Sequence, residues 1–250
     1  MTMLSFKHLQ LAISFYTRVP VPKNLDYTQL PQAVLYLPMI GWLVGGCAAV
    51  VFYVSALLWS KLTALILSLI ATVLLTGSFH EDGFADVCDS FGGGYGKAQI
   101  LTIMKDSRVG SYALVGLVLL LALKLSVWME LPMNDLPLIL LAGHSISRFP
   151  PLLLMHRYDY ARADNSKSKD VLHKPSIRDL LIATSFALLP MLLLPALCGL
   201  AIVPVLLVTH GLGHYFYRHI GGYTGDCLGT SQQIAEVIFY LTVSSLWIFI

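Results

Sequence analysis

Seven stretches of this chain are apolar for long enough to cross a bilayer, and that number decides what it can fold into. A transmembrane helix needs about 20 consecutive apolar residues, within a range of roughly 17–25. The stretches run over about 34–60, 62–79, 110–129, 136–155, 180–197, 200–217 and 234–250. Charged residues make up 12% of the 250, against about 25% in an ordinary soluble domain. The reading is an all-α, polytopic integral membrane protein, a single transmembrane domain over 1–250 with about seven spans. A net charge of +2 gives no electrostatic footprint for nucleic acid. The four cysteines (Cys47, Cys88, Cys198, Cys227) are scattered without a CxxC pair, so neither a disulfide framework nor a zinc knuckle is expected.

Ahead of the first span, Lys7, Gln10, Ser14, Thr17 and Arg18 fall on one helical stripe, with Leu4, Leu9, Ile13, Phe15 and Tyr16 off it. That pattern predicts an amphipathic helix lying in the membrane interface, stopped by Pro20 and Pro22. The first span carries Gly41 and Gly45, a small-xxx-small face suited to close helix contact. With seven spans, 13 of the 16 basic residues gather on one side, including Lys23, Lys167 and Lys169. Basic loops mark the cytoplasmic side, so the N-terminus is expected inside and the C-terminus outside. Lys124 lies near the outer end of its span, where its amine can snorkel to the headgroups.

Four of the 14 carboxylates fall within positions 80–89, as His80-Glu81-Asp82-Gly83-Phe84-Ala85-Asp86-Val87-Cys88-Asp89. On a helix Asp82, Asp86 and Asp89 sit at i, i+4 and i+7 and share one face. Acids near a helix N-terminus also serve as caps, but a cap uses one or two of them. A divalent cation is the alternative, and oxygen donors without nearby thiols suit Mg²⁺. Asp106 is a further candidate ligand.

Phosphate chemistry has candidates close by. Gly92 and Gly93 open a glycine-rich turn whose amides would approach a phosphate, although a plain turn uses the same residues. Lys105 and Arg108 add cations on the following loop. Arg148 stands within a span, where a charge costs ~2.5–3.5 kcal/mol on insertion scales and faces a partner in the bundle. Asp226, in a glycine-rich loop, is either a turn residue or a contact to metal or substrate. Thr230-Ser231-Gln232-Gln233 reads as a capping box opening the last helix. His210 and His214 have metal spacing, with buried structural histidines as the other reading.

These motifs together resemble the cobalamin synthase family, the adenosylcobinamide-GDP ribazoletransferases. The likeness is carried by Phe15-Tyr16-Thr17-Arg18-Val19-Pro20-Val21-Pro22, by the acidic stretch through Gly94, and by Lys105-Asp106-Ser107-Arg108-Val109-Gly110-Ser111-Tyr112. Ser147-Arg148 and Gly222-Tyr223-Thr224-Gly225-Asp226-Cys227-Leu228-Gly229 extend it over nearly the whole chain. A looser likeness to the CDP-alcohol phosphotransferases, whose pattern begins Asp-Gly-x-x-Ala-Arg, departs at the arginine and in spacing over Asp82-Gly83-Phe84-Ala85-Asp86.

The resemblance implies a Mg²⁺-dependent enzyme of the inner membrane with its active site on the cytoplasmic face. It would join GDP-activated adenosylcobinamide to α-ribazole or its 5′-phosphate and release GMP. Its partners would be those two substrates and membrane lipid, with a second copy or other B12-pathway enzymes as candidate company and no nucleic acid. The acidic motif of the family falls on Glu81, Asp82, Asp86 and Asp89. Asp82, Asp86 and Asp89 would then hold the metal. Glu81 or one of the aspartates would take the ribazole hydroxyl proton, with His80 as second candidate. Lys105, Arg108 and Arg148, and more distantly Arg18, would stabilise charge on the departing GMP. Two rival classes remain at this point: a divalent metal-ion transporter using the acidic cluster, and a non-catalytic membrane scaffold.

Overall fold

The apolar runs do fold as helices. A computed structural model describes residues 5–22, 24–162 and 174–250; Lys23, Lys167 and Lys169 lie outside them. The α-helices are α1 (Phe6–Tyr16), α2 (Leu30–Ala33), α3 (Leu37–Ala56), α4 (Lys61–Thr76), α5 (Phe79–Gly93) and α6 (Lys97–Ile103). There follow α7 (Ser111–Glu130), α8 (Leu136–Ile146), α9 (Pro150–Arg157), α10 (Ile177–Leu188), α11 (Ile202–Ile220) and α12 (Gly225–Trp247).

The seven expected spans are recovered only in part. Among the described residues four helical stretches are long and apolar enough to cross a membrane: Tyr27–Ala56, Ser111–Glu130, Leu136–Arg157 and Ala196–Ile220. A fifth is obtained if α4 and α5, which meet at 89°, count as one broken span. The fifth expected run shortens because its prolines interrupt the α-helical bonding. After α10 the chain continues as 3-10 turns over Leu189–Leu193 and Ala196–Ala201. The last helix begins at Gly225, well before position 234, with the Thr224 hydroxyl accepting from the Cys227 amide at 3.3 Å. The expected capping box at 230–233 therefore lies inside a helix.

Sequence explains the break between α4 and α5. Gly77 (φ 66°) and Ser78 (φ 59°) are both left-handed, a conformation that costs a non-glycine residue ~1–2 kcal/mol. The break is pinned from outside: the Arg18 amide donates to Leu75 O at 2.7 Å, and the Arg18 side chain covers Gly77. α1 forms where expected, but it lays Leu11, Ala12 and Tyr16 into a cluster with Leu35, Ile40 and Val44 of the protein itself.

Close helix packing follows the small residues. A Cβ on Gly41 would stand 2.3 Å from His144 O, and one on Gly45 2.8 Å from the Leu141 Cα, so α3 and α8 meet backbone to backbone. At one end of the bundle Lys61 Nζ donates to Met129 O (2.6 Å) and Leu131 O (2.5 Å), and Ser244 donates to Glu130 at 3.0 Å. The loops carrying the sequence motifs gather at the other end. α12 runs through the middle, packed against α5, α7, α8, α9 and α11. The four cysteines are free thiols.

Candidate functional site

The acidic stretch becomes α5, an amphipathic helix with His80, Gly83, Ala85, Val87 and Ser90 buried against the bundle. Asp82 is exposed and Asp86 half-buried. Glycine at 83 lets the next element close in, for a Cβ there would stand 3.0 Å from the Asp226 Cα. Asp226 opens α12, so the two helices bring acids from distant sequence together. Asp86 feels Asp226, Asp82 and Asp89 as like charges and Arg162 as the opposing cation. Arg162 NH2 donates to Asp226 Oδ2 at 3.1 Å, both groups about a fifth exposed. Arg162 appeared in the sequence only as one of many loop charges; nothing in its neighbourhood marked it out.

Asp89, the third expected metal ligand, is also held by backbone amides. Its carboxylate accepts from the Gly110 amide at 2.6 Å and the Ala113 amide at 2.9 Å, satisfying two of the orphan donors at the start of α7. Both oxygens are thereby engaged. Among the described residues no three His, Cys, Asp or Glu side chains form a ready metal cage. Magnesium does not demand one, since it commonly takes one or two carboxylates and completes its shell with water and substrate phosphates. Asp82 and Asp86, facing Asp226 with a single opposing arginine, suit that kind of binding.

The glycine turn is not a phosphate cradle. Gly92 and Gly93 complete the last turn of α5, where their amides belong to the helix. Gly92 is small because a Cβ would stand 2.7 Å from the Tyr112 ring. Lys105 and Arg108 are exposed on the following loop. The Arg108 guanidinium, 87% exposed, grips Asp106 with two parallel bonds of 3.0 and 2.5 Å. That grip holds the Asp106 carboxyl down to about 2 and occupies it against metal binding. Arg18 sits at the α4–α5 break, its guanidinium against Gly77.

Arg148 is 2% exposed and lies in the interior. Its NH1 donates to His144 O at 2.7 Å, while its Nε has no hydrogen-bond partner. Around it are His144, Gln232, Gln233, Glu236 and Lys124, all buried. Lys124 does not snorkel: its amine is 3.1 Å from Glu236 Oε1. Glu236 inside the last apolar run, one turn after Gln232 and Gln233, was the available signal for this cluster, and the capping-box reading hid it. Gln233 Nε2 donates to Glu81 Oε1 at 2.9 Å, so the first acid of the motif turns inward. His80 is 3% exposed, stacked on Tyr16 at 6.5 Å, with neither ring nitrogen hydrogen-bonded. His210 and His214, expected to be buried, lie on the exposed face of α11, whose inner face is Val205, Thr209, Gly213, Phe216 and Ile220.

The arrangement can neutralise a polyanion at its acidic mouth through a cation, and can hold a carboxylate from below. Comparison with known proteins gives this a name. Residues 8–244 match the family model described as cobalamin-5-phosphate synthase. An adenosylcobinamide-GDP ribazoletransferase of Shewanella amazonensis is 41% identical over 95% of this chain and 94% of its own length. Its counterpart in Shewanella piezotolerans is 42% identical over 92% of both chains, and that of Ralstonia pickettii 39% over 92% of both. No solved structure matches the chain significantly.

Proposed function

The chain belongs to the cobalamin-5-phosphate synthase family, and from that premise we propose that it is an adenosylcobinamide-GDP ribazoletransferase, acting in the last steps of cobalamin synthesis. It joins adenosylcobinamide-GDP to α-ribazole or its 5′-phosphate and releases GMP. The relatives named above are transferases by name, and the transporter alternative finds no support in them. The observation that carries the reading is the meeting of Asp82 and Asp86 on α5 with Asp226 of α12 and its ion-pair partner Arg162, from the segment after α9.

The reaction requires a hydroxyl oxygen to attack one phosphorus of a diphosphate while a nucleotide monophosphate leaves. Such transfers depend on positioning and charge neutralisation more than on covalent help. Asp82 and Asp86, with Asp226 opposite, would hold a magnesium ion, which when bound neutralises diphosphate oxygens. Arg162 opposes the charge of those acids and binds the departing phosphate, with Arg108 and Lys105 as further cations on their exposed loop. Glu81 takes the hydroxyl proton. The direct test is incubation of the detergent-purified protein with adenosylcobinamide-GDP, α-ribazole and Mg²⁺. Stoichiometric corrinoid product and GMP are expected; ion flux in proteoliposomes without GMP release would overturn the reading.

The protein is a multi-pass protein of the inner membrane, with N-terminus and site cytoplasmic. The four helical stretches long and apolar enough to cross a membrane, five with the broken α4–α5 pair, support a multi-pass reading. α1 lies along the cytoplasmic interface, its buried face on the protein and Lys7 exposed.

A further inference from the structure

A hydrogen-bonded chain below the acidic mouth has no part in the reaction as described so far. Lys124 Nζ on α7 lies 3.1 Å from Glu236 Oε1 and donates to Gln233 Oε1 at 2.9 Å. Gln233 Nε2 then donates to Glu81 Oε1 at 2.9 Å. Lys124, Gln233 and Glu236 are each at most 2% exposed. An ammonium has donors only, so it must meet the oxygen of the glutamine amide. The amide is thereby oriented with its NH₂ toward Glu81. The other carboxylate oxygen, Glu81 Oε2, is shielded from solvent and has no hydrogen-bond partner among the described residues. One oxygen of Glu81 is held and the other is kept for a group entering the site.

An ion pair kept only for stability would not need this geometry. Buried pairs roughly break even against apolar replacements of similar volume. Glu236 is already served by Gln232 Nε2 at 2.7 Å and faces His144 Nδ1 at 3.5 Å. We infer that Gln233, oriented by Lys124 with Glu236 as counter-ion, is a positioning residue that aims Glu81 Oε2 at the attacking hydroxyl. The inference rests on the proposal that Glu81 is the proton acceptor. In the step, the hydroxyl proton passes to Glu81 Oε2 as its oxygen bonds to phosphorus. The phosphorus–oxygen bond to GMP breaks, and GMP leaves with that electron pair.

Three variants in detergent test it, each read for kcat, for KM of both substrates and for thermal midpoint. Gln233→Leu is expected to lower kcat about 100-fold, the scale of a misplaced group, with both KM values within about twofold of wild type. The pair Lys124→Met with Glu236→Leu should lose kcat in the same way, because the amide is no longer oriented, and should also lower the thermal midpoint, because buried Arg148 loses an opposing charge. Gln233→Asn, which keeps the amide but withdraws it by one methylene, decides the matter if the others fail to fold. A folded variant of any of the three turning over at the wild-type rate overturns the inference. Glu81→Gln separates the two levels. If it is fully active, the acceptor reading itself fails; if it is inactive while folded Gln233→Leu is normal, only the positioning role fails.

Discussion

Asp89 and Gly110 are joined by a 2.6 Å hydrogen bond from the Gly110 amide to the aspartate carboxylate. An acid at the end of α5 thus caps the start of α7, and the Ala113 amide shares it at 2.9 Å. Of the three aspartates on one helix face, Asp89 holds amides of the next helix while Asp82 is exposed and Asp86 half-buried.

Asp89→Ala should therefore cost stability first. Loss of an N-terminal cap removes about 0.5–2 kcal/mol, seen as a lower thermal midpoint in detergent with the magnesium requirement unchanged. An unaltered midpoint combined with a large shift in the Mg²⁺ concentration needed for activity would return Asp89 to the metal.

Asp82→Ala should abolish GMP release while the protein remains membrane-inserted, because Asp82 is the exposed acid at the mouth and no backbone group depends on it for a cap. Chelation of Mg²⁺ from the wild-type protein should give the same loss, reversed on adding it back. Full turnover by the variant would remove Asp82 from the site.

Arg162→Ala should raise KM for the GDP-linked corrinoid by about tenfold, or ~1.4 kcal/mol, the order of a charge-assisted hydrogen bond. Arg108→Ala should change it by less than about threefold, since that side chain is 87% exposed and already paired with Asp106. Steady-state kinetics in nanodiscs would show the order, and a larger effect at Arg108 would reverse the assignment.

Gly41→Ala should loosen the bundle, because the new methyl would stand 2.3 Å from His144 O, a backbone atom that cannot swing aside. Overpacking of this kind costs about 1–3 kcal/mol. Gly46→Ala, with nothing within 4 Å, is the matched control and should unfold at the wild-type temperature. Equal midpoints for the two would show that α3 and α8 are free to separate.

The broken span shows why some positions could not be read in advance. Residues 62–79 are continuously apolar, and periodicity carries no sign of an 89° turn at Gly77–Ser78. The turn depends on Arg18, nearly 60 residues earlier, seating itself over Gly77. Gln232, Gln233 and Glu236 were visible as polar residues in an apolar run, yet their partners on α5, α7 and α8 come from remote sequence.

Hydropathy alone determined that this chain is helical and belongs to a bilayer, because unpaired backbone groups are intolerable in hydrocarbon and a helix pairs them within one segment. The i, i+4 spacing of Asp82 and Asp86 also fixed a shared acidic face, since that is local geometry. Tertiary structure decided what faces that surface: α12 brings Asp226 across from it and Gln233 beneath it, and the segment after α9 brings Arg162 to Asp226. Contacts between residues more than 60 positions apart depend on which helices pack together. That choice is made by close-fitting glycines and buried charges, which no periodicity in one segment can express.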